Sequence, residues 1–177
     1  LVRLVDDLDE ISKLESGKIP VIQEAFVIQE LIRDVYEELS LKARERDIQL
    51  LFKKGTERPV SVTADKQKIK QVLVNLIENA LKYGNEHGHI MAGCYEMDDK
   101  HVYIEISDNG PGIAEEHLGR IFERFYRADR SRARAIGGTG LGLAIVKHII
   151  EAHGHTVNVR SKPGVGSSFG FTLDKAQ

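Results

Sequence analysis

Four short segments in a fixed order constrain this chain more than any other feature: Asn-Leu-Ile-Glu-Asn-Ala-Leu-Lys-Tyr at 75–83, Asp-Asn-Gly-Pro-Gly at 108–112, Gly-Gly-Thr-Gly-Leu-Gly-Leu at 137–143 and Gly-Val-Gly-Ser at 164–167. The first lies on a helical pattern, the second ends a strand, the third opens a helix and the fourth joins two strands. One glycine cluster carries little weight, but four in series with these elements between them imply a single nucleotide pocket.

The elements follow from periodicity. Ile69, Val72, Leu73, Leu76, Ile77, Ala80 and Leu81 form a continuous apolar arc behind Asp65, a fitting N-cap. At about 100° per residue, Asn75, Asn79 and Lys82 share the opposite face. Alternating runs at 89–96 and 102–108 predict a hairpin turning at 97–100, and 156–161 with 167–173 predict two closing strands. Helices are expected over 27–45 and 139–152, a short one over 115–122, an extended stretch over 21–26, and strands over 48–52 and 60–63. Residues 111–138 are long for a loop, and such loops often serve as lids.

Each segment suggests its own chemistry. Magnesium beside phosphates keeps several waters and takes one or two protein oxygens, which side-chain amides supply without adding negative charge. Asn79 is the first choice of ligand, with Asn75 supporting it or meeting phosphate, and Lys82 one turn on can reach a phosphate oxygen. A solvated helix face would hold the same residues. Asp108 at a strand end can accept a hydrogen bond from an adenine amine, with Gly110 and Gly112 letting the backbone pass close, although Asp-Asn-Gly is also an ordinary turn. Gly137, Gly138, Gly140 and Gly142 surround a helix start, where unpaired N–H groups and the helix dipole favour phosphate, and a hinge would use the same glycines. It is not a Walker loop, because Gly-x-x-x-x-Gly-Lys-Ser/Thr is absent. In the lid, Phe122, Phe125 and Tyr126 interleave with Arg124 and Arg127, followed by Arg130, Arg132 and Arg134; Arg127 can reach phosphate, and a satellite core or a solvated basic loop is the plainer alternative.

At 177 residues the chain is long enough for one well-buried domain and an appendage. Lys plus Arg at 25 against Asp plus Glu at 27 argues against nucleic acid as a partner. The lone Cys94 reads as a small buried hydrophobe. No apolar stretch approaches the roughly 20 residues that span a bilayer, so a soluble piece in a reducing compartment is expected. Leu1, Leu4, Leu8 and Ile11 mark a helix that packs on another helix, whose partner is expected from another chain or from an upstream helix. The start at Leu1, inside this pattern, suggests a fragment of a longer protein.

In this order the segments resemble the N box, first glycine box, phenylalanine box, second glycine box and last glycine-turn block of sensor histidine kinases. The resemblance implies an α+β fold: a two-layer α/β sandwich of the Bergerat ATP-binding type, a mixed sheet packed on helices, with a short N-terminal helical stub. Asp6-Asp7-Leu8 through Leu14-Glu15-Ser16-Gly17 is similar to the end of the second dimerisation-hairpin helix. Residues 1–17 are then the stub and 18–177 the catalytic domain. ATP is expected against Asn75, Asn79, Lys82, Tyr83, Asp108, Gly110, Gly112, Ile113, Phe122 and Arg127, and against Gly138, Thr139, Gly140, Leu141, Gly142, Leu143 and Ser167, with magnesium on Asn79.

Glu78 is a candidate catalytic auxiliary by the same resemblance: relatives that hydrolyse ATP use a carboxylate there to activate water, whereas kinases usually set the acceptor histidine with a residue beside it. The implied activity is transfer of the γ-phosphoryl group of Mg-ATP to a hairpin histidine. Two departures are visible: Gly84 stands where Thr or Ser is usual, and His155 where a second Gly is usual. The acceptor is absent, because His87, His89, His101, His117, His148, His153 and His155 all fall in the catalytic part. Expected partners are a hairpin carrying that histidine, a response regulator and a second copy through the stub, with a cytoplasmic domain and a parent anchored in the inner membrane. An ATPase or chaperone-like member of the same superfamily, or a non-catalytic interaction module, are the rival readings.

Overall fold

A computed structural model describes residues 2–17, 20–129 and 137–177. Helix α1 (Val2–Glu15) ends at Ser16 and Gly17, followed by strand β1 (Glu24–Val27), helices α2 (Ile28–Glu38) and α3 (Ser40–Glu45), and strands β2 (Gln49–Phe52) and β3 (Ser61–Ala64). Helix α4 (Lys66–Tyr83), the hairpin β4 (His89–Glu96) and β5 (His101–Asp108), and the short α5 (Glu115–Leu118) come next. Helix α6 (Gly142–Ala152) and strands β6 (Val157–Lys162) and β7 (Gly166–Lys175) close the chain.

The strands form one mixed sheet in the order β1-β3-β7-β5-β4-β2. Only β2 and β4 run parallel among these pairings, and β6 shares the β7 edge with β3. Val102, Ile104 and Ile106 alternate inward on β5, and Phe169, Phe171 and Leu173 do so on β7, so one sheet face carries the core. The apolar faces of α2, α4 and α6 cover it. This is the two-layer α/β sandwich expected. Cys94 is buried in that core, which raises its thiol to about 12 and makes it a packing residue.

Several local expectations hold and others shift. Asp65 caps α4 by accepting the Lys68 N–H at 3.2 Å. The helix expected over 27–45 is broken at Leu39, whose ψ of 4° starts a second short helix that keeps both Leu39 and Ala43 buried. Helix α6 begins at Gly142 rather than 139, because Gly140 takes a φ of +74° that a right-handed helix cannot hold.

Helix α1 packs on α6, with Ile11 only 1% exposed and Leu4 and Leu14 against the core. One side of α1 is therefore covered by α6 of the same chain. Helix α6 buries Ala144, Ile145, Val146, Ile149 and Ile150, an arc wide enough to face both α4 and α1. On the outer side of α1, Val2, Val5 and Leu8 remain exposed. Among the described residues no helix is long and apolar enough to cross a membrane.

Candidate functional site

A cavity of about 350 Å³ opens between α4, the end of β5, the start of the lid and the loop before α6. That is within the size range of small-molecule pockets, roughly 300–1,000 Å³. Its α4 wall is built by the stripe seen in the sequence: Asn75, Asn79, Lys82 and Tyr83 line it, and Glu78 joins them. Two interactions fix this wall. Arg46, beyond the end of α3, donates to the Leu81 carbonyl, to Lys82 O at 2.9 Å and to Gly84 O at 2.8 Å, closing the C-terminal end of α4. Asn75 Nδ2 donates to Gly142 O at 3.2 Å and ties α4 to the start of α6.

One end of the cavity is organised around Asp108. Its Oδ1 accepts the Gly110 N–H at 2.9 Å. Burial raises its carboxyl above the ordinary aspartate value, against the opposing pull of the Gly110 and Ser167 backbone N–H groups. Gly112, Ile113 and Ser167 line the cavity beside it. The Ser161 hydroxyl accepts the Ile113 N–H at 2.7 Å, donates to Gly166 O at 3.0 Å and meets Ser167 Oγ at 2.8 Å, fastening the second glycine segment to the fourth.

Gly112 and Gly166 are required by the chain itself. A Cβ on Gly112 would overlap the Lys162 carbonyl, and one on Gly166 would overlap the carbonyl of Asp108, so the two turns interlock through bare backbone.

At the other end, Gly138, Thr139, Gly140, Gly142 and Leu143 line the cavity together with Arg127. Phe125 donates its N–H to Gly140 O at 2.9 Å and Arg127 reaches Gly138 O, which ties residues 125–127 to residues 138–140. Burial lowers the Lys82 ammonium below its usual value; Glu78 opposes this, whereas Arg3, Lys42 and Arg127 add to it. The buried Glu78 accepts from Arg3 at 3.0 Å and from Lys42 at 3.1 Å. Burial alone would raise its carboxyl, but these two cations outweigh burial and hold it below the ordinary glutamate value.

Three expected residues are absent from the cavity wall. Leu141 is fully buried in the core, Phe122 packs edge-on against Phe169 at 6.1 Å between ring centroids, and Gly110 lies behind Asp108. Phe169 itself lines the cavity, so Phe122 supports the wall from behind. Arg130, Arg132 and Arg134 lie outside the described residues. Neither departure touches the cavity: Gly84 serves the Arg46 cap, and His155 meets Thr172 at 2.7 Å and Asp174 at 3.0 Å.

Arg3, Asp7, Ile121 and Tyr126 line the site without having been expected there. Tyr126 had a signal, standing in the aromatic run of the lid. Arg3 and Asp7 had none, because only the docking of α1 brings them to the cavity. Thr139 Oγ1 donates to Asp7 Oδ2 at 2.8 Å.

Residues 64–177 match the model of the histidine kinase-, DNA gyrase B- and HSP90-like ATPase family. The sensor histidine kinase WalK of Bacillus subtilis is 36% identical over 174 residues, which is 98% of this chain and 28% of WalK. The chain therefore spans little more than a quarter of that relative. Among solved structures, full-length ShkA in complex with AMPPNP superposes with a TM-score of 0.87 at 31% identity, over 99% of this chain and 36% of ShkA. The histidine kinase ThkA in complex with the response regulator protein TrrA gives 0.76 at 31% identity, over 99% of this chain and 49% of ThkA. The interlocked glycine turns, the amide-bearing helix and these likenesses agree: the chain belongs to the histidine kinase-, DNA gyrase B- and HSP90-like ATPase family, as a catalytic ATP-binding domain of the sensor histidine kinase kind.

Proposed function

We propose that this chain binds Mg-ATP in the cavity and donates the γ-phosphoryl group to a histidine on a dimerisation hairpin, as part of a two-component sensor kinase. The observation that carries the reading is one continuous cavity with a half-buried carboxylate, Asp108, at one end and Lys82, Arg127 and a glycine loop at the other. Asp108 accepts the adenine amine, Ile113 and Phe169 face the ring, and the loop N–H groups with Lys82 and Arg127 take the phosphates.

The donor set suits magnesium. Among the described residues no three His, Cys, Asp or Glu side chains gather for a metal, so an ion here would rest on the Asn79 amide oxygen, phosphates and water. Bound there, it would neutralise charge on the phosphate oxygens during transfer. The chain's own part is positioning: the histidine nitrogen attacks the γ-phosphorus, the bond to the β-γ bridging oxygen breaks, and ADP leaves.

Glu78 is an anchor for Arg3 and Lys42 in this reading. Both of its oxygens are engaged by cations, which weighs against the water-activating role that an ATPase would need. Residues 1–17 are the end of the second hairpin helix and 18–177 the catalytic domain. The exposed Val2, Val5 and Leu8 suit a further hairpin helix or a second copy. The ThkA complex supports a response regulator as the downstream partner.

Calorimetric titration with ATP, with and without magnesium, tests the reading. Wild type should bind at micromolar to millimolar nucleotide, and Asn79→Ala should lose the magnesium-dependent part of that affinity. Absence of binding by the wild type at millimolar ATP sinks the proposal; an unchanged magnesium response in Asn79→Ala sinks the ligand assignment.

A further inference from the structure

We infer that Arg3, carried on α1, binds the terminal phosphate of the nucleotide, so that the pocket is complete only while α1 is docked. The inference rests on the proposed ATP reading and adds to it a residue from outside the four segments. Arg3 lines the same cavity as Asn79 and Lys82, although 72 residues separate it from Asn75, the first residue of those segments.

Its place along the cavity follows from the contacts around it. Arg3 bonds Glu78 of α4, the neighbour of Asn79, and Asp7, one turn further along α1, accepts from Thr139 of the glycine loop. Arg3 therefore belongs to the cationic end, where phosphates would sit, and not to the base end.

Glu78 aims the side chain. It is the residue before Asn79, its carboxylate is 11% exposed, and one of its oxygens holds Arg3 Nη2 at 3.0 Å while Lys42 occupies the other at 3.1 Å. A guanidinium has five N–H donors in a planar fork, and Glu78 takes one of them. The Arg3 side chain is 57% exposed, so its remaining edge is open to an incoming oxyanion. Arginine suits this task because its fork can hold a carboxylate and a phosphate together.

Charge balance points the same way. Away from Asp108, the cavity is lined by Arg3, Lys82 and Arg127 and by Glu78, Asp7 and Asp129, and Lys42 on Glu78 leaves one positive charge in surplus. A triphosphate needs that surplus where its charge is greatest. Glu78 is then a positioning residue acting through Arg3.

The test compares ATP with ADP. Dissociation constants for Mg-ATP and Mg-ADP are measured by calorimetry on the 177-residue chain as wild type, Arg3→Gln, Arg3→Lys and Glu78→Gln. Loss of a charged hydrogen bond to the terminal phosphate should weaken ATP about tenfold in Arg3→Gln and leave ADP within about twofold. Arg3→Lys should recover part of the ATP affinity, and Glu78→Gln should show a smaller loss that is again selective for ATP. Equal losses for both nucleotides, or none, overturn the assignment while ATP binding by the wild type stands. Failure of the wild type to bind ATP overturns the underlying reading and this inference with it.

Discussion

The Asp108 carboxyl sits half-buried at the end of β5, and its desolvation raises it above the ordinary aspartate value. Between the unfolded and the folded value the native state binds more protons, so stability falls as pH rises through that interval, and the cost persists at neutral pH. Asp108→Asn removes this cost and keeps an acceptor for the Gly110 N–H. The variant should melt no lower than wild type at neutral pH while binding ATP about ten- to a hundredfold more weakly, the scale of a hydrogen bond to a charged group. A clear fall in melting temperature, or unchanged ATP affinity, would refute this account. Asp108 was legible in the sequence because a strand pattern ended on it. The cooperation of Ser161 was not, since a serine in an alternating strand carries no sign of its partners.

Helix α4 shows the same division one scale up. Its apolar arc, its N-cap and its amide stripe all follow from a repeat of 3.6 residues, and the structure reproduces them. The finish at its C-terminal end depends on Arg46, an otherwise ordinary arginine after α3. It satisfies three carbonyls at Leu81, Lys82 and Gly84, next to the side chain expected on phosphate. Arg46→Ala should cost about 1–3 kcal/mol by chemical denaturation, because those carbonyls lose a charged donor. It should also weaken ATP severalfold by loosening Lys82, and full retention of both stability and affinity would show the cap to be dispensable. The break at Leu39 and the late start of α6 were illegible for a related reason: an apolar repeat registers which side is buried, and is nearly blind to a single residue leaving the helix.

At the scale of the whole molecule, α1 lies across α6 and reaches the cavity with Arg3 and Asp7. Ile11 is its buried anchor, and removing such a side chain to alanine typically costs about 2–5 kcal/mol. Ile11→Ala should therefore lower hydrogen-exchange protection of the α1 amides while those of β5 and β7 keep theirs; equal loss throughout would mean that α1 does not open separately. Acid should act on the same contact. Glu78 is held below the ordinary glutamate value, so its pairing with Arg3 and Lys42 contributes above the usual carboxylate range and is lost as pH falls through the lowered value. Protection of α1 in the wild type should decline over that acid window, and to a smaller degree in Glu78→Gln. A pH response of equal size in that variant would place the titration elsewhere.

The sequence by itself determined the order of the elements and the segments that form most of the cavity wall, and its resemblance to sensor histidine kinases implied the layered α+β fold. Those features are local: hydrophobic period, glycine at interlocking turns, and polar residues one helical turn apart are written within a few residues of where they act. Tertiary structure alone decided that α6 covers α1, that Arg46 closes α4, that Glu78 spends both oxygens on cations and that Arg3 and Asp7 join the pocket. Each joins residues far apart in the chain, through charge and shape that leave no periodic trace. The four segments mark the walls of the site, and the folded chain determines which distant side chains close it.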